Sequence, residues 1–340
     1  MSKPKIGITM GDAAGIGPEI IVKTLNEKKV YKWCSPIVLG DVKVIQIALM
    51  STGLNLKIHP VKEISKAQFE YGTIDVFDFN NIDIHRLKMG RISEMCGKAA
   101  VVYTERAVKM AMNKQIHAMV SAPLNKESMR KAGYHYSSQT NIIGELTSSK
   151  NYSLMSIFNH LRVLTVTSHI PLRKACELIT KKKVLDTIIL ANSSMETLFG
   201  VTKPKIGISA LNPHAGEGGI FGKEEMEEIT PAIKKANSLG IKAIGPIPAD
   251  TVFVKAKREE FDIVVALYHD QAFIPVKVLG FGKIVTVVAG VPVIRTSVAH
   301  GTAFDIAGKN LADHRNFLQA VKLAADLGEK FIKKDNRRRT

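Results

Sequence analysis

Cysteine is scarce: Cys34, Cys96 and Cys176 are the only three in 340 residues. None stands in a CxxC spacing, so neither a disulfide framework nor a thiolate metal site is indicated. One tryptophan and 6% aromatic residues leave little material for base-stacking platforms, and no RNA- or DNA-binding module is discernible. No apolar run approaches the roughly 20 residues that a membrane helix needs. The opening MSKPKIGITM enters a strand without a signal-peptide pattern, so a cytoplasmic protein is expected. The Gly-Lys-Ser/Thr of a Walker loop and the GxGxxG of a Rossmann turn are both missing, which excludes the two commonest phosphate cradles.

What is present is a long, apolar and basic chain. Hydrophobic residues make up 45% of it and the formal charge is +17, enough to bury a core of two lobes. Residues 330–339 hold six of the cations against one carboxylate, and the remainder of the charge is spread along the chain. Dispersed lysines read as solvated faces whose field helps collect an anionic small substrate.

The order of elements is that of a parallel α/β protein. Lys5 to Met10 reads as a strand, then a glycine turn Gly11-Asp12-Ala13-Ala14-Gly15-Ile16-Gly17 leads through Pro18 into a helix. Taken alone, that turn is structural. Pro36 to Gly40, Val44 to Met50 and Thr73 to Phe79 alternate as strands and helices, followed by an amphipathic helix from about Ile92 to Asn113. Ala118 to Ala122 is a strand, and GYHYSSQT is a polar loop before a helix near Asn141. Ser153 to Phe158 and Leu161 to Thr167 look like paired strands. Lys205 to Ala210, Ala243 to Gly245, Asp262 to Leu267 and Lys283 to Val288 complete the set, with a charged helix over Gly222 to Leu239 and a tight loop at Pro248-Ala249-Asp250-Thr251.

Several strands end on polar residues, where ligands of open α/β sheets bind. His169, His214 and His269 each lie just past an apolar strand, and three neutral imidazoles at one sheet edge would form a catalytic-type site for Zn²⁺, Co²⁺ or Mn²⁺. Asp250 and Asp270 are candidate acid/base groups or partners that orient imidazoles. Lys277 and Arg295 are candidate holders of carboxylate or phosphate. His300-Gly301-Thr302-Ala303 supplies a glycine turn beside them in sequence.

Seven segments in this order carry a resemblance: MGDAAGIGPEI, SAPLNKESM, SHIPL, LNPHAGEGGIFGKEE, GPIPADTVF, YHDQAFIPVK and IRTSVAHGTAFDIAGK. The chain resembles the 4-hydroxythreonine-4-phosphate dehydrogenase family of vitamin B6 biosynthesis, whose relatives include 4-phosphothreonate dehydrogenases. The resemblance implies an isocitrate/isopropylmalate dehydrogenase-like fold of two α/β/α lobes with a central cleft, residues 1–130 plus 298–340 forming the first lobe and 131–297 the second. It implies a divalent metal (Zn, Mg, Co or Mn) on His169, His214 and His269, shared across a homodimer. It further implies NAD on His300, Gly301, Thr302 and Asp305, and substrate on Gln139, Thr140, Lys277, Thr286 and Arg295. The implied reaction is oxidation of the 3-hydroxyl of 4-hydroxythreonine 4-phosphate to a 3-oxo acid, which decarboxylates to 3-amino-2-oxopropyl phosphate.

The sequence departs from the family at the substrate. The family's Gly-His-Thr-Glu stands here as Ser138-Gln139-Thr140-Asn141, and an expected asparagine is Thr286. A titratable donor and a negative charge are thereby missing. The same chemistry on 4-phospho-D-threonate, phosphoerythronate or another 3-hydroxy acid is the alternative, and a decayed ligand-binding homologue is a third reading.

Overall fold

The computed structural model describes residues 3–339, and side chains only as far as residue 336. The tail cations Arg337, Arg338 and Arg339 therefore have side chains outside the described residues. In chain order the strands are β1 (Lys5–Thr9), β2 (Ser35–Gly40), β3 (Lys57–Val61), β4 (Thr73–Asp78), β5 (Ala118–Ser121), β6 (Ser153–Phe158), β7 (Leu161–Thr165), β8 (Lys205–Ser209), β9 (Lys242–Ile247), β10 (Ile263–Ala266), β11 (Val285–Ala289) and β12 (Arg295–Val298). The chain divides into two compact units, Met1–Ser149 with Val291–Thr340, and Lys150–Gly290.

The first unit orders its strands β3-β4-β2-β1-β5-β12, every pair parallel. Its central strands are continuous buried runs, as expected where helices cover both faces. The register Thr9↔Ser121↔Ser297 brings three hydroxyl side chains level at the carboxyl edge of β1, β5 and β12. The second unit orders its strands β11-β6-β7-β10-β8-β9. There β6 runs antiparallel to both neighbours and forms a tight hairpin with β7, while β7, β10, β8 and β9 are parallel. Its core includes Val163, Val252, Val264, Ala266 and Val276, all buried. The expected α/β class is the one observed.

Three local expectations are corrected. Asp250 stands not in a loop but in the first turn of the helix Ala249–Lys257, where its carboxylate suits the positive helix end. The helix expected over Gly222 to Leu239 begins with a π turn, Glu225–Ile229, that runs on into the helix Thr230–Ser238 with proline in its first turn, because Pro231 has no N–H to close an ordinary helical bond. The strand β3 was not anticipated, since its exposed Lys57 and Pro60 give an edge pattern rather than a buried run.

The glycine turn after β1 is packed by its own chain. Asp12 N–H donates to Pro123 O at 3.0 Å and Ala14 N–H to Asp12 Oδ1 at 2.9 Å. Gly11 has φ 71°, and a Cβ there would lie 2.3 Å from Pro123 O, so only glycine fits. Asp12 is fully buried, and Oδ2 makes no hydrogen bond of normal geometry. Burial pushes its carboxyl from 3.8 up to about 6, against the opposing pull of the Ala14 amide and the Ser128 hydroxyl. Between pH 3.8 and about 6 the folded chain thus keeps a proton that the unfolded chain has lost, and stability falls as pH rises through that window, by about 3 kcal/mol in all. Asp12→Asn should accordingly raise the thermal midpoint at pH 7.5 and leave it nearly unchanged at pH 4. Equal gains at the two pH values would refute the assignment.

Candidate active site

Two groups of predicted residues take shape, one on each unit. In the second unit β7 and β10 are parallel neighbours, and their pairing continues past the strands through Val166 N–H to Ala266 O and Thr167 N–H to Leu267 O. The two chains therefore leave the sheet edge side by side. His169 follows one of them, with φ 53°, and His269 opens the helix His269–Gly280 after the other. Their ring centroids are 5.2 Å apart. His269 Nδ1 lies 2.7 Å from Asp270 Oδ1, and His169 Nδ1 lies 3.2 Å from Ser168 Oγ. Gln271 locks this corner: its Oε1 accepts from Leu267 N–H at 2.7 Å and its Nε2 donates to Ala210 O at 2.8 Å.

The two imidazoles line a cavity of about 280 Å³ with Thr167, Leu172, Tyr268 and Asp270. Burial, then the Asp270 charge, raises the Tyr268 phenol above its ordinary range. Along the same helix His269 stacks on Phe273 at 4.4 Å, and Lys277 Nζ lies 5.9 Å from that ring. Residues 269, 273 and 277 are four apart, so they form one row on the helix.

With metal–nitrogen bonds of about 2 Å, two imidazoles in a tetrahedral site hold their ring centres roughly 5 Å apart. The His169–His269 pair fits that spacing, and on a metal the Asp270 carboxylate at Nδ1 would be the outer partner that leaves Nε2 oriented as a donor. His214 is not brought to them. It follows β8, the other neighbour of β10, and its ring packs on Phe221 at 5.9 Å. Among the described residues no three His, Cys, Asp or Glu side chains are grouped to hold a metal. Asp250 is exposed on its helix, and Thr286 is buried on β11 opposite Ser156.

In the first unit the group is built on Arg295. This residue of β12 is 4% exposed. Its Nε donates to Ser121 Oγ at 3.1 Å and its Nη2 to Gln139 Oε1 at 2.6 Å. Among the described residues no carboxylate pairs with it, and burial lowers its pKa from the ordinary guanidinium range to about 10. Gln139 begins the helix Gln139–Leu146 and is buried, with Nε2 lacking a hydrogen-bond partner. Because Oε1 is committed to Arg295, the amide must present Nε2 as an unused donor. Thr140 follows it, half-buried. Asn141 has a local role: its N–H donates to Ser138 Oγ, and its Oδ1 accepts from the Ser137 and Ser138 hydroxyls, which is a helix N-cap.

The loop from His300 lies against the glycine turn. Ile16 N–H donates to Thr302 O at 3.1 Å, and a Cβ on Gly15 would sit 3.0 Å from Thr302 Cβ. His300 Nδ1 is 3.0 Å from Gly301 O. Gly301 and Asp305 are exposed, and nothing lies within 4 Å of a Cβ built on Gly301. The open Gly301 backbone and the Asp305 carboxylate four residues on are the groups that this loop offers a ligand.

The profile of the family described as "Pyridoxal phosphate biosynthetic protein PdxA" matches residues 32–324. The chain belongs to the PdxA family. The chain is 45% identical over 332 residues to a Clostridium botulinum protein named "Putative D-threonate 4-phosphate dehydrogenase", covering 98% of this chain and 99% of that one. A crystal structure of a 4-hydroxythreonine-4-phosphate dehydrogenase from Burkholderia phymatum superposes with a TM-score of 0.86 at 44% identity, over 96% and 99% of the two chains. The Klebsiella pneumoniae 4-hydroxythreonine-4-phosphate dehydrogenase gives 0.90 at 34% identity, over 96% and 99%. The PdxA fold and an oxidoreductase activity are therefore those of this chain. Among the described residues no helix is long and apolar enough to cross a membrane.

Two features of these groups escaped sequence reading. One is the burial of Arg295 without a counter-charge on β12, a strand that the polar run Arg295-Thr296-Ser297 did not announce. The other is Ser121, whose Oγ accepts from Arg295 Nε and which opens the segment SAPLNKESM without having been singled out as a site residue.

Proposed function

We propose that this protein oxidises the 3-hydroxyl of a 4-phosphorylated hydroxy acid with NAD and a divalent metal (Zn, Mg, Co or Mn), and that 4-phospho-D-threonate is the substrate it fits best. The observation that carries this reading is the buried Arg295 beside the unused Gln139 amide donor. The five substrate-binding candidates, Gln139, Thr140, Lys277, Thr286 and Arg295, include two cations and no carboxylate. Such a set suits a ligand that carries phosphate and carboxylate but no ammonium. Threonate 4-phosphate has a hydroxyl at C2 where 4-hydroxythreonine 4-phosphate has an ammonium group.

His169 and His269 would hold the metal, with Asp270 orienting His269, and His300, Gly301, Thr302 and Asp305 would hold NAD. When bound, these groups polarise the C3 hydroxyl and take up hydride. Arg295 and Gln139 fix an oxyanion of the substrate, Lys277 adds a point charge, and Asp250 and Asp270 are the carboxylates available to accept the hydroxyl proton. The product is a 3-oxo acid, whose loss of CO₂ gives dihydroxyacetone phosphate from threonate phosphate. From 4-hydroxythreonine 4-phosphate it would give 3-amino-2-oxopropyl phosphate, the step of pyridoxal phosphate biosynthesis. That second reading is favoured by the family description and by the Burkholderia and Klebsiella relatives.

A homodimer belongs to the proposal. Two imidazoles leave a catalytic site one donor short, and the helix that carries His269 exposes Ile274, Val278 and Phe281 at 62%, 80% and 83%. A row of this kind on a charged protein suits a second copy of the chain that also supplies the missing donor. We place the dimer in the cytoplasm. The test is NADH formation, followed by absorbance, with metal-reconstituted protein given 4-phospho-D-threonate and 4-hydroxythreonine 4-phosphate in parallel. Faster turnover of the first is expected. Turnover of the second alone would move the protein to pyridoxal phosphate synthesis, and silence from both would refute the dehydrogenase assignment for these acids.

A further inference from the structure

We infer that Glu225 is a positioning residue: its buried carboxylate holds the loop that carries His214 in a left-handed course. The loop leaves β8 at Ala210. From there His214, Ala215 and Glu217 have φ of 53°, 55° and 39°, and Gly216 and Gly218 lie at 77° and 67°. Three side-chain-bearing residues in one left-handed turn form a conformation that L-residues avoid. Such a course persists only where its surroundings over-determine it.

Glu225 provides that determination. It is 2% exposed, its Oε1 accepts from Leu211 N–H and Asn212 N–H, both at 2.8 Å, and its Oε2 accepts from Asn212 Nδ2 at 2.9 Å. Among the described residues no cation pairs with it. The charge is met wholly by N–H donors from the residues just before Pro213 and His214. Its Oε2 also fills the inside of the turn, since a Cβ on Gly216 would stand 2.7 Å from it. Glu224 assists with one bond, Oε2 to Asn212 Nδ2 at 2.7 Å. The clamp is carried on a firm base, because the π turn that begins at Glu225 runs directly into the helix Thr230–Ser238, which packs on β9. A carboxylate is required here because a neutral amide has one acceptor oxygen and would turn an NH₂ group toward at least one of these donors.

The functional consequence rests on the family resemblance, which makes His214 a metal ligand and so a candidate for the donor that a second copy of the chain would supply, but the positioning itself can be read separately. Glu225→Gln, Glu224→Gln and the parent are compared as full chains by amide hydrogen exchange over residues 211–222 and by calorimetric titration with Co²⁺. Glu225→Gln should lose protection at Leu211 and Asn212 and bind Co²⁺ at least about tenfold more weakly, the usual loss when an outer partner of a ligand is removed. Glu224→Gln should change either property less. Adding Ala215→Gly to Glu225→Gln should restore part of the Co²⁺ affinity, because glycine adopts the left-handed turn without strain. Unchanged protection at 211 and 212 in Glu225→Gln would overturn the inference. Lost protection with unchanged Co²⁺ affinity would keep the clamp and overturn its link to the metal. A parent that binds no Co²⁺ would remove the metal reading, and hydrogen exchange alone would then decide the clamp.

Discussion

His269→Ala should leave the protein folded and slow NADH formation by more than about 100-fold, since even the outer partners of metal ligands are worth about 10- to 100-fold. The side chain is 35% exposed and stands at the start of its helix, so its removal costs little packing, and the thermal midpoint of the metal-free protein should move by about a degree or two. The stabilisation that Co²⁺ or Zn²⁺ gives the parent should largely vanish, because that gain scales with the affinity for the folded state. Asp270→Asn should fall between the two. It keeps an oxygen near His269 Nδ1 but gives up the charge, so about a tenfold loss is expected. If His269→Ala instead kept parental activity and parental metal stabilisation, the imidazole pair would be a packing feature and the site would have to be sought elsewhere.

The ends of the strands were legible because buried parallel strands are continuous apolar runs, and the polar residues that stop them stand out. Tyr268-His269-Asp270-Gln271 after β10 is the clearest instance. The meeting of His169 with His269 was not legible as a distance. It depends on β7 and β10 being neighbours although about a hundred residues lie between them in sequence, and on a left-handed turn at His169 that no propensity favours. The structure likewise gives Asn141 a task that spacing hides. Standing where the family has glutamate, it closes a cap with Ser137 and Ser138, so its neutrality is explained locally as well as by the substrate. The π turn before Pro231 and the edge strand β3 were lost for a common reason: proline and lysine report local chemistry, and the elements they stand in are set by tertiary pairing.

Arg295→Met should act in opposite directions on stability and on function. The guanidinium is buried without a carboxylate, and burial depresses its pKa from the ordinary guanidinium range to about 10. At every pH below about 10 the folded state therefore carries a charge that water would solvate better, a cost of about 3 kcal/mol at 1.36 kcal/mol per unit. Sign follows from linkage: the folded pKa of this base is depressed, so the cost is constant below pH 10 and is relieved only as pH rises through it. Methionine removes the cost and fills much of the volume. It also gives up the bonds to Ser121 and Gln139, worth about 1 kcal/mol each, which leaves a net gain of about 1 kcal/mol and a rise of a few degrees in the midpoint of the ligand-free protein. Function should move the other way. Loss of one member of a buried charged contact costs about 2–5 kcal/mol, so kcat/KM for the phosphorylated acid should drop by about 30- to 5,000-fold, and threonate 4-phosphate should no longer raise the midpoint. A variant that is both more stable and inactive would show that the fold holds an uncompensated charge for the sake of an anion. A variant that is less stable with substrate affinity intact would make Arg295 a structural tie between β5, β12 and the helix of Gln139, and the proposed anion contact would be wrong.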